Sequence, residues 1–256
     1  MRIPLGYKGA MANLEVDVPT PDGVAGASLH LPDGTGSWPG VLMYPDAGGT
    51  RQVFRDMGAR LASAGFVVLV PDVYHRSGGH EPFSMATVFT EPDERARLGS
   101  LMASLTPEAV LADATAFADF LLSRPEVVDG PIGTTGYCMG GRLSLTAAGL
   151  LGDRIGAAAS FHGGRLAVEG DPNSPHLLAA DVRATVYVGG AENDASFDDE
   201  QAERLHQAYA AAGVDHTIET YAAAHGYAVP DMPTYDEAAA ERHWAAMAAL
   251  FTATLT

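Results

Sequence analysis

Five residues, Gly136-Tyr137-Cys138-Met139-Gly140, place a thiol between two glycines, and Cys138 is the only cysteine of the 256-residue chain. The pattern fits the nucleophile elbow, G-x-nucleophile-x-G, with cysteine in place of the usual serine. That elbow is a sharp turn from a strand into a helix. Glycine is needed two residues either side of the nucleophile because the strand and the helix close on each other there. The turn sets Cys138 at a helix N-terminus, where the partial positive charge favours a thiolate. It also aims the N–H of Met139 at the place where an oxyanion would form. Most lone cysteines are small buried hydrophobes. The flanking glycines and the strand-to-helix context favour the nucleophile instead.

A nucleophilic thiol needs a base, and the base needs a group to orient it. In this architecture the three follow in the order nucleophile, acid, histidine. Two acids compete in the loop "GGAEND": Asp194, favoured by its position after a strand, and Glu192, its neighbour. Among nine histidines, His225 in "YAAAHGYAV" lies just past a strand, before the last helix, with small neighbours. His206 and His243 fall inside helices and His216 opens a strand. His30, His75, His80 and His162 could reach a site only by breaking the expected order. The second oxyanion donor is expected in the loop Pro45-Asp46-Ala47-Gly48-Gly49, at the N–H of Ala47.

Elements must exist to position these groups. Residues 12–31 alternate about the turn "PTPDG" and read as an antiparallel hairpin. Residues 40–49 read as a short buried strand ending in a glycine-containing loop, and 66–74, 130–137, 155–163, 184–188 and 216–221 read as further strands. Helical patterns lie between them at 53–65, 111–122, 139–151, 198–212 and 236–255. Thr106 and Pro107 suit a helix cap and a first helical position. Most strands are continuous apolar runs, as in a parallel sheet covered on both faces. The expected fold class is α/β, with a mostly parallel sheet, helices on both faces and an N-terminal hairpin. With no linker in view, residues 1–256 read as one domain. Residues 75–105 are irregular, and a connection of that length suggests a functional loop or short helices. The pocket walls are expected from 75–105, from 161–166 and from the loop after Asp194.

The net charge of −17 argues against nucleic acid and anionic membranes as partners. One cysteine excludes an intramolecular disulfide framework and a multi-cysteine zinc site, and an unpaired thiol fits a reducing compartment. The N-terminus "MRIPLGYKGAMANLEV" lacks an apolar run of signal-peptide length. No stretch is long and apolar enough to span a bilayer. The expectation is a cytoplasmic protein acting on a small molecule, with no metal and no organic cofactor; oligomeric state is left open.

Together, "GYCMGG", "VPDVYHRSG", "PDAGG" and "AHGY" resemble the dienelactone hydrolase family of the α/β-hydrolase fold, from about residue 23 to the C-terminus. The resemblance implies a Cys-Asp-His triad at Cys138, Asp194 and His225, the same three positions chosen from the residues. It also implies a carboxylate in the first oxyanion loop, which holds the thiol proton at rest. That position is Asp46 here, one methylene shorter than the usual Glu. The family grips a substrate carboxylate with two arginines. "DERAR" is similar to the segment carrying the first and would place it at Arg97. No arginine follows His225 within a few residues, where "GYAVPD" stands in the place of the second. The expected activity is hydrolysis of an ester or lactone through a covalent acyl-enzyme. An acyltransferase or thioesterase on the same fold, or a non-catalytic sensor that keeps the pocket, are the alternatives.

Overall fold

The computed structural model of the protein describes residues 12–256, so most of the stretch read for a signal sequence lies outside the described residues. Among the described residues, eight strands form one sheet. In chain order they are β1 (Ala12–Thr20), β2 (Gly23–Leu31), β3 (Gly40–Tyr44), β4 (Val67–Pro71), β5 (Ile132–Tyr137), β6 (Ile155–Phe161), β7 (Thr185–Ala191) and β8 (His216–Tyr221). The spatial order is β1-β2-β4-β3-β5-β6-β7-β8. β1 and β2 form the expected hairpin, β2 joins β4 antiparallel, and every pair from β4 to β8 is parallel.

Six α-helices cover the sheet: α1 (Gln52–Ser63), α2 (Pro92–Ala103), α3 (Pro107–Leu122), α4 (Met139–Leu151), α5 (Asp199–Ala212) and α6 (Glu237–Leu255). α3 starts a turn earlier than its apolar pattern, because Thr106 accepts a hydrogen bond from the Ala109 N–H and Pro107 takes the first turn. Asp198 and Asp236 cap α5 and α6 in the same way.

Strand alternation divides the core in two. Val41 and Met43 of β3 face α1 and α6, beside Phe54, Leu61, Met247 and Phe251. Leu42 and Tyr44 face the opposite layer, with Phe117, Leu145 and Leu205. Burying each such side chain contributes about 2 kcal/mol. With both faces covered, the parallel strands have no solvent side to carry polar residues, which is why they read as unbroken apolar runs.

The chain runs from β3 through α1 to β4 on one side, whereas β5 lies on the other side of β3. Strand order therefore reverses between β3 and β5. Such a switch point opens a crevice at the carboxyl ends of the strands. The register pairs Tyr44 with Gly136 and Tyr137 with Phe161. The loops after β3, β5 and β6 thus leave the sheet side by side.

Candidate functional site

Cys138 sits at φ 54°, ψ −118°, a backbone conformation that side chains rarely adopt, between β5 and α4. The glycines around it are obligatory on steric grounds. A Cβ on Gly136 would lie 2.0 Å from the Gly140 carbonyl oxygen, and one on Gly140 would lie 2.3 Å from that of Pro45. The elbow is tied to its neighbour strand by the Cys138 N–H, which donates to Phe161 O at 3.1 Å.

His225 and Asp194 come from the ends of β8 and β7. The Nδ1–H of His225 donates to Asp194 Oδ2 at 2.6 Å. The other oxygen, Oδ1, accepts from the Ser196 N–H at 2.8 Å and the Ser196 hydroxyl at 2.7 Å. Burial alone would raise the Asp194 pKa, but the bonds from His225 and Ser196 outweigh it and hold the carboxyl below its ordinary range. Burial alone would also discharge His225. Asp194 first and then Cys138 overcome that, and push the imidazole up to about 10. The thiol therefore lies within interaction range of the imidazole. Glu192, the rival acid, is exposed and has no side-chain hydrogen bond to the imidazole.

Ala47 is buried on the far side of Cys138 and lines the same pocket. Met139 heads α4, where the first N–H groups of a helix lack an intrahelical acceptor. A residue not anticipated in the sequence joins the two. The Tyr74 hydroxyl lies 3.0 Å from Ala47 O and 3.2 Å from Met139 Sδ.

Asp46 reaches the pocket wall, but its carboxylate is turned to Arg51 rather than to the thiol. Arg51 Nη1 donates to Oδ1 at 2.6 Å and Nη2 to Oδ2 at 2.8 Å, while the Gly48 N–H donates to Oδ1 at 2.9 Å. Arg51 also grips Asp231 through Nε at 2.6 Å and Nη2 at 2.7 Å. A carboxylate already held by a planar guanidinium fork and a backbone N–H has no reason to hold a thiol proton. The Arg51 bridge ties the oxyanion loop to the loop after His225, and no pattern in the sequence announces it.

Arg97 has its partners elsewhere. It does not line the pocket. It lies in α2, its guanidinium donating to Glu94 at 2.8 Å and to the Glu81 carbonyl at 2.6 Å, and stacks 3.8 Å over the Phe83 ring.

The pocket is lined by Asp46, Ala47, Met85, Phe89, Cys138, His162, His225, Gly226 and Met232. Met85 and Phe89 belong to the irregular segment 75–105, and His162 to 161–166, two of the three regions expected to wall the site. Met232 was not anticipated. Its wall is almost wholly apolar and carries no lysine or arginine. Among the described residues no cluster of three or more His, Cys, Asp or Glu side chains is placed to hold a metal ion, and no helix is long and apolar enough to cross a membrane.

Comparison with known proteins agrees with this fold. A sequence model of the dienelactone hydrolase family matches residues 25–255. An Escherichia coli O157:H7 protein named "Putative carboxymethylenebutenolidase" is 30% identical over 218 residues, covering 83% of this chain and 76% of that protein. The crystal structure of a Klebsiella pneumoniae protein described as "Putative Dienelactone Hydrolase" superposes with a TM-score of 0.82 at 26% identity, over 95% of this chain and 99% of the other. A dienelactone hydrolase-like promiscuous phosphotriesterase from metagenomic libraries gives 0.79 at 25% identity, over 97% and 100%.

Proposed function

Because the chain belongs to the dienelactone hydrolase family, whose activity is hydrolysis of the ester or lactone type, we propose that Cys138, His225 and Asp194 carry that hydrolysis as a triad. The single observation that supports it most is the 2.6 Å bond from His225 Nδ1 to Asp194 Oδ2. It fixes the imidazole tautomer so that Nε2 is the nitrogen left for the thiol.

Cys138 Sγ attacks the substrate carbonyl, and the thiol proton resides on His225 Nε2. The Ala47 and Met139 N–H groups hold the oxyanion, each such donor being worth about 3 kcal/mol. Collapse of the tetrahedral adduct expels the alkoxide, which takes the proton from His225. Water then attacks the thioester carbon and gives its proton to His225. As the C–S bond breaks, that proton returns to Cys138 and the acid leaves. Asp194 stays ionised throughout and stabilises the imidazolium. A thiolate leaves more readily than an alkoxide, so activated or strained esters such as enol lactones are favoured over amides.

A neutral substrate fits better than an anionic one. The pocket wall holds no lysine or arginine, Arg97 is engaged elsewhere, and the net charge is −17. That charge also speaks against nucleic acid and anionic membranes as partners. The free thiol this chemistry requires supports a reducing, cytoplasmic location. One continuous sheet running from residue 12 to residue 221 supports a single α/β-hydrolase domain over 1–256.

The test is hydrolysis of p-nitrophenyl acetate before and after Cys138→Ala. The reading expects the variant to lose the enzyme's rate. A variant that keeps it removes Cys138 as the nucleophile.

A further inference from the structure

His162 follows β6 directly, at the place on that strand that Cys138 takes on β5, since Tyr137 and Phe161 are register partners. It is 1% exposed, and its φ is 38°, in the left-handed region. Its backbone N–H donates to Gly189 O at 2.8 Å, but neither ring nitrogen has a protein hydrogen-bond partner. The ring stands edge-on to His225, centroids 5.1 Å apart, and to Tyr227 at the same distance. With Cys138 and His225 it lines the pocket.

Backbone strain at such a residue costs of order 1–3 kcal/mol. An unpaired buried polar group costs about as much again. Native proteins satisfy nearly all such groups, so two costs at one residue beside a thiol and an imidazole call for a partner that comes from the pocket. Burial first, and then the neighbouring imidazoles of His225 and His243, hold His162 well below its ordinary pKa, so the ring is neutral. A neutral imidazole offers one donor and one acceptor, and a water molecule can use both.

The pocket volume is about 20 Å³, enough to admit a water molecule. His162 is at its deep end, whereas Phe89, at 50% exposure, is at its mouth. Asp46 is occupied by Arg51 and His225 Nδ1 by Asp194, so the imidazole of His162 is the unengaged polar side chain beside the thiol and the base.

We propose that His162 holds the hydrolytic water against the acyl group on Cys138, and so determines how fast the acyl-enzyme is discharged. The proposal rests on the acyl-enzyme reading above. The acyl group extends toward Phe89 and Met85. Both His162 ring nitrogens are fully buried at rest, so a turn of the ring brings one to the water, which sits between His162 and His225 Nε2. The water oxygen bonds to the thioester carbon, its proton goes to His225 Nε2, and the C–S bond breaks as Cys138 takes that proton. His162 neither gains nor loses a proton; it accepts from or donates to the water and fixes its line of attack. Misplacing an attacking group by about 1 Å is worth about 100-fold in rate.

The experiment is rapid-quench mass spectrometry of the full-length enzyme with p-nitrophenyl acetate, alongside p-nitrophenol release. His162→Phe keeps the ring shape and loses both hydrogen bonds; His162→Asn keeps a donor and an acceptor and tolerates positive φ. In His162→Phe the first turnover stays within about threefold of the parent while the acetyl-Cys138 species accumulates and its discharge slows about 100-fold. His162→Asn recovers at least a tenth of the parent discharge rate. Should His162→Phe melt early, His162→Gly, which suits the backbone, carries the same comparison, and free imidazole then restores discharge. Equal slowing of acylation and discharge means a purely structural role and overturns the proposal. An unchanged discharge rate overturns it too. If turnover proceeds and no variant, nor the parent, ever carries an acyl group on Cys138, it is the acyl-enzyme reading that fails.

Discussion

Asp194 and His225, thirty-one residues apart in the chain, meet through a 2.6 Å hydrogen bond, and Ser196 fills the oxygen that His225 leaves free. Asp194→Asn keeps the shape of this contact and removes its charge. The substitution is expected to lower kcat with p-nitrophenyl acetate by about 10²- to 10⁴-fold, with KM little changed. Ser196→Ala removes one supporting bond worth about 1 kcal/mol and is expected to cost about fivefold. Steady-state kinetics of the two variants, side by side, measures the difference.

The same contact makes an acid–base prediction. His225 is raised from 6.5 to about 10, with Asp194 the largest raising partner and Cys138 the next. A folded-state pKa above the unfolded value stabilises the fold by its full amount below pH 6.5. The contribution fades as pH rises from 6.5 through about 10. The His225 ring signals in a proton NMR titration are expected to move at high pH in the parent. In Asp194→Asn and in Cys138→Ala they are expected to move nearer neutrality. An unshifted midpoint in both variants contradicts the assignment of the causes.

Arg51 is predicted to serve the fold more than the chemistry. Asp46 is buried, and Arg51→Met leaves its carboxylate without a cation. Unfolding by urea is expected to show a loss of about 3 kcal/mol, more than half of it recovered when Asp46→Asn is added. Asp231, at 39% side-chain exposure, is the solvent-facing partner. Asp231→Asn is therefore expected to cost less than about 1 kcal/mol.

Arg97 is predicted to be silent in substrate choice. Its guanidinium is spent on Glu94, the Glu81 carbonyl and the Phe83 ring. Arg97→Ala is expected to change kcat/KM by less than about twofold for neutral and anionic aryl esters alike, since a surface ion pair is worth little. A selective loss with the anionic ester would restore the arginine to the site.

Most elements, α2 within 75–105 excepted, and the positions proposed for the triad were legible in the sequence because each leaves a local mark. Glycines at 136 and 140 announce a turn that admits no side chain. Asp194 follows a strand that reads as an apolar run, His225 follows the more polar strand "HTIETY" with small neighbours around it, and Thr106-Pro107 announces a helix start. The Arg51 bridge between Asp46 and Asp231 was not legible, since it joins residues 180 positions apart, with only the tertiary fold to bring them together. Arg97 was placed by resemblance alone, and "DERAR" says nothing of where a long side chain finds its partners. His162 was seen as one histidine among nine, out of the expected order. Its meaning lies in burial and in two ring nitrogens without partners, which a sequence does not display.

The central claim is that Cys138 carries the acyl group. Rapid quenching of the enzyme with p-nitrophenyl acetate, followed by peptide mass mapping, measures this directly. The account predicts a single acetyl group on Cys138, formed and lost at rates that reproduce turnover, and absent from Cys138→Ala. Turnover that continues with Cys138 unmodified, or an acetyl group on another side chain formed at the turnover rate, would contradict it.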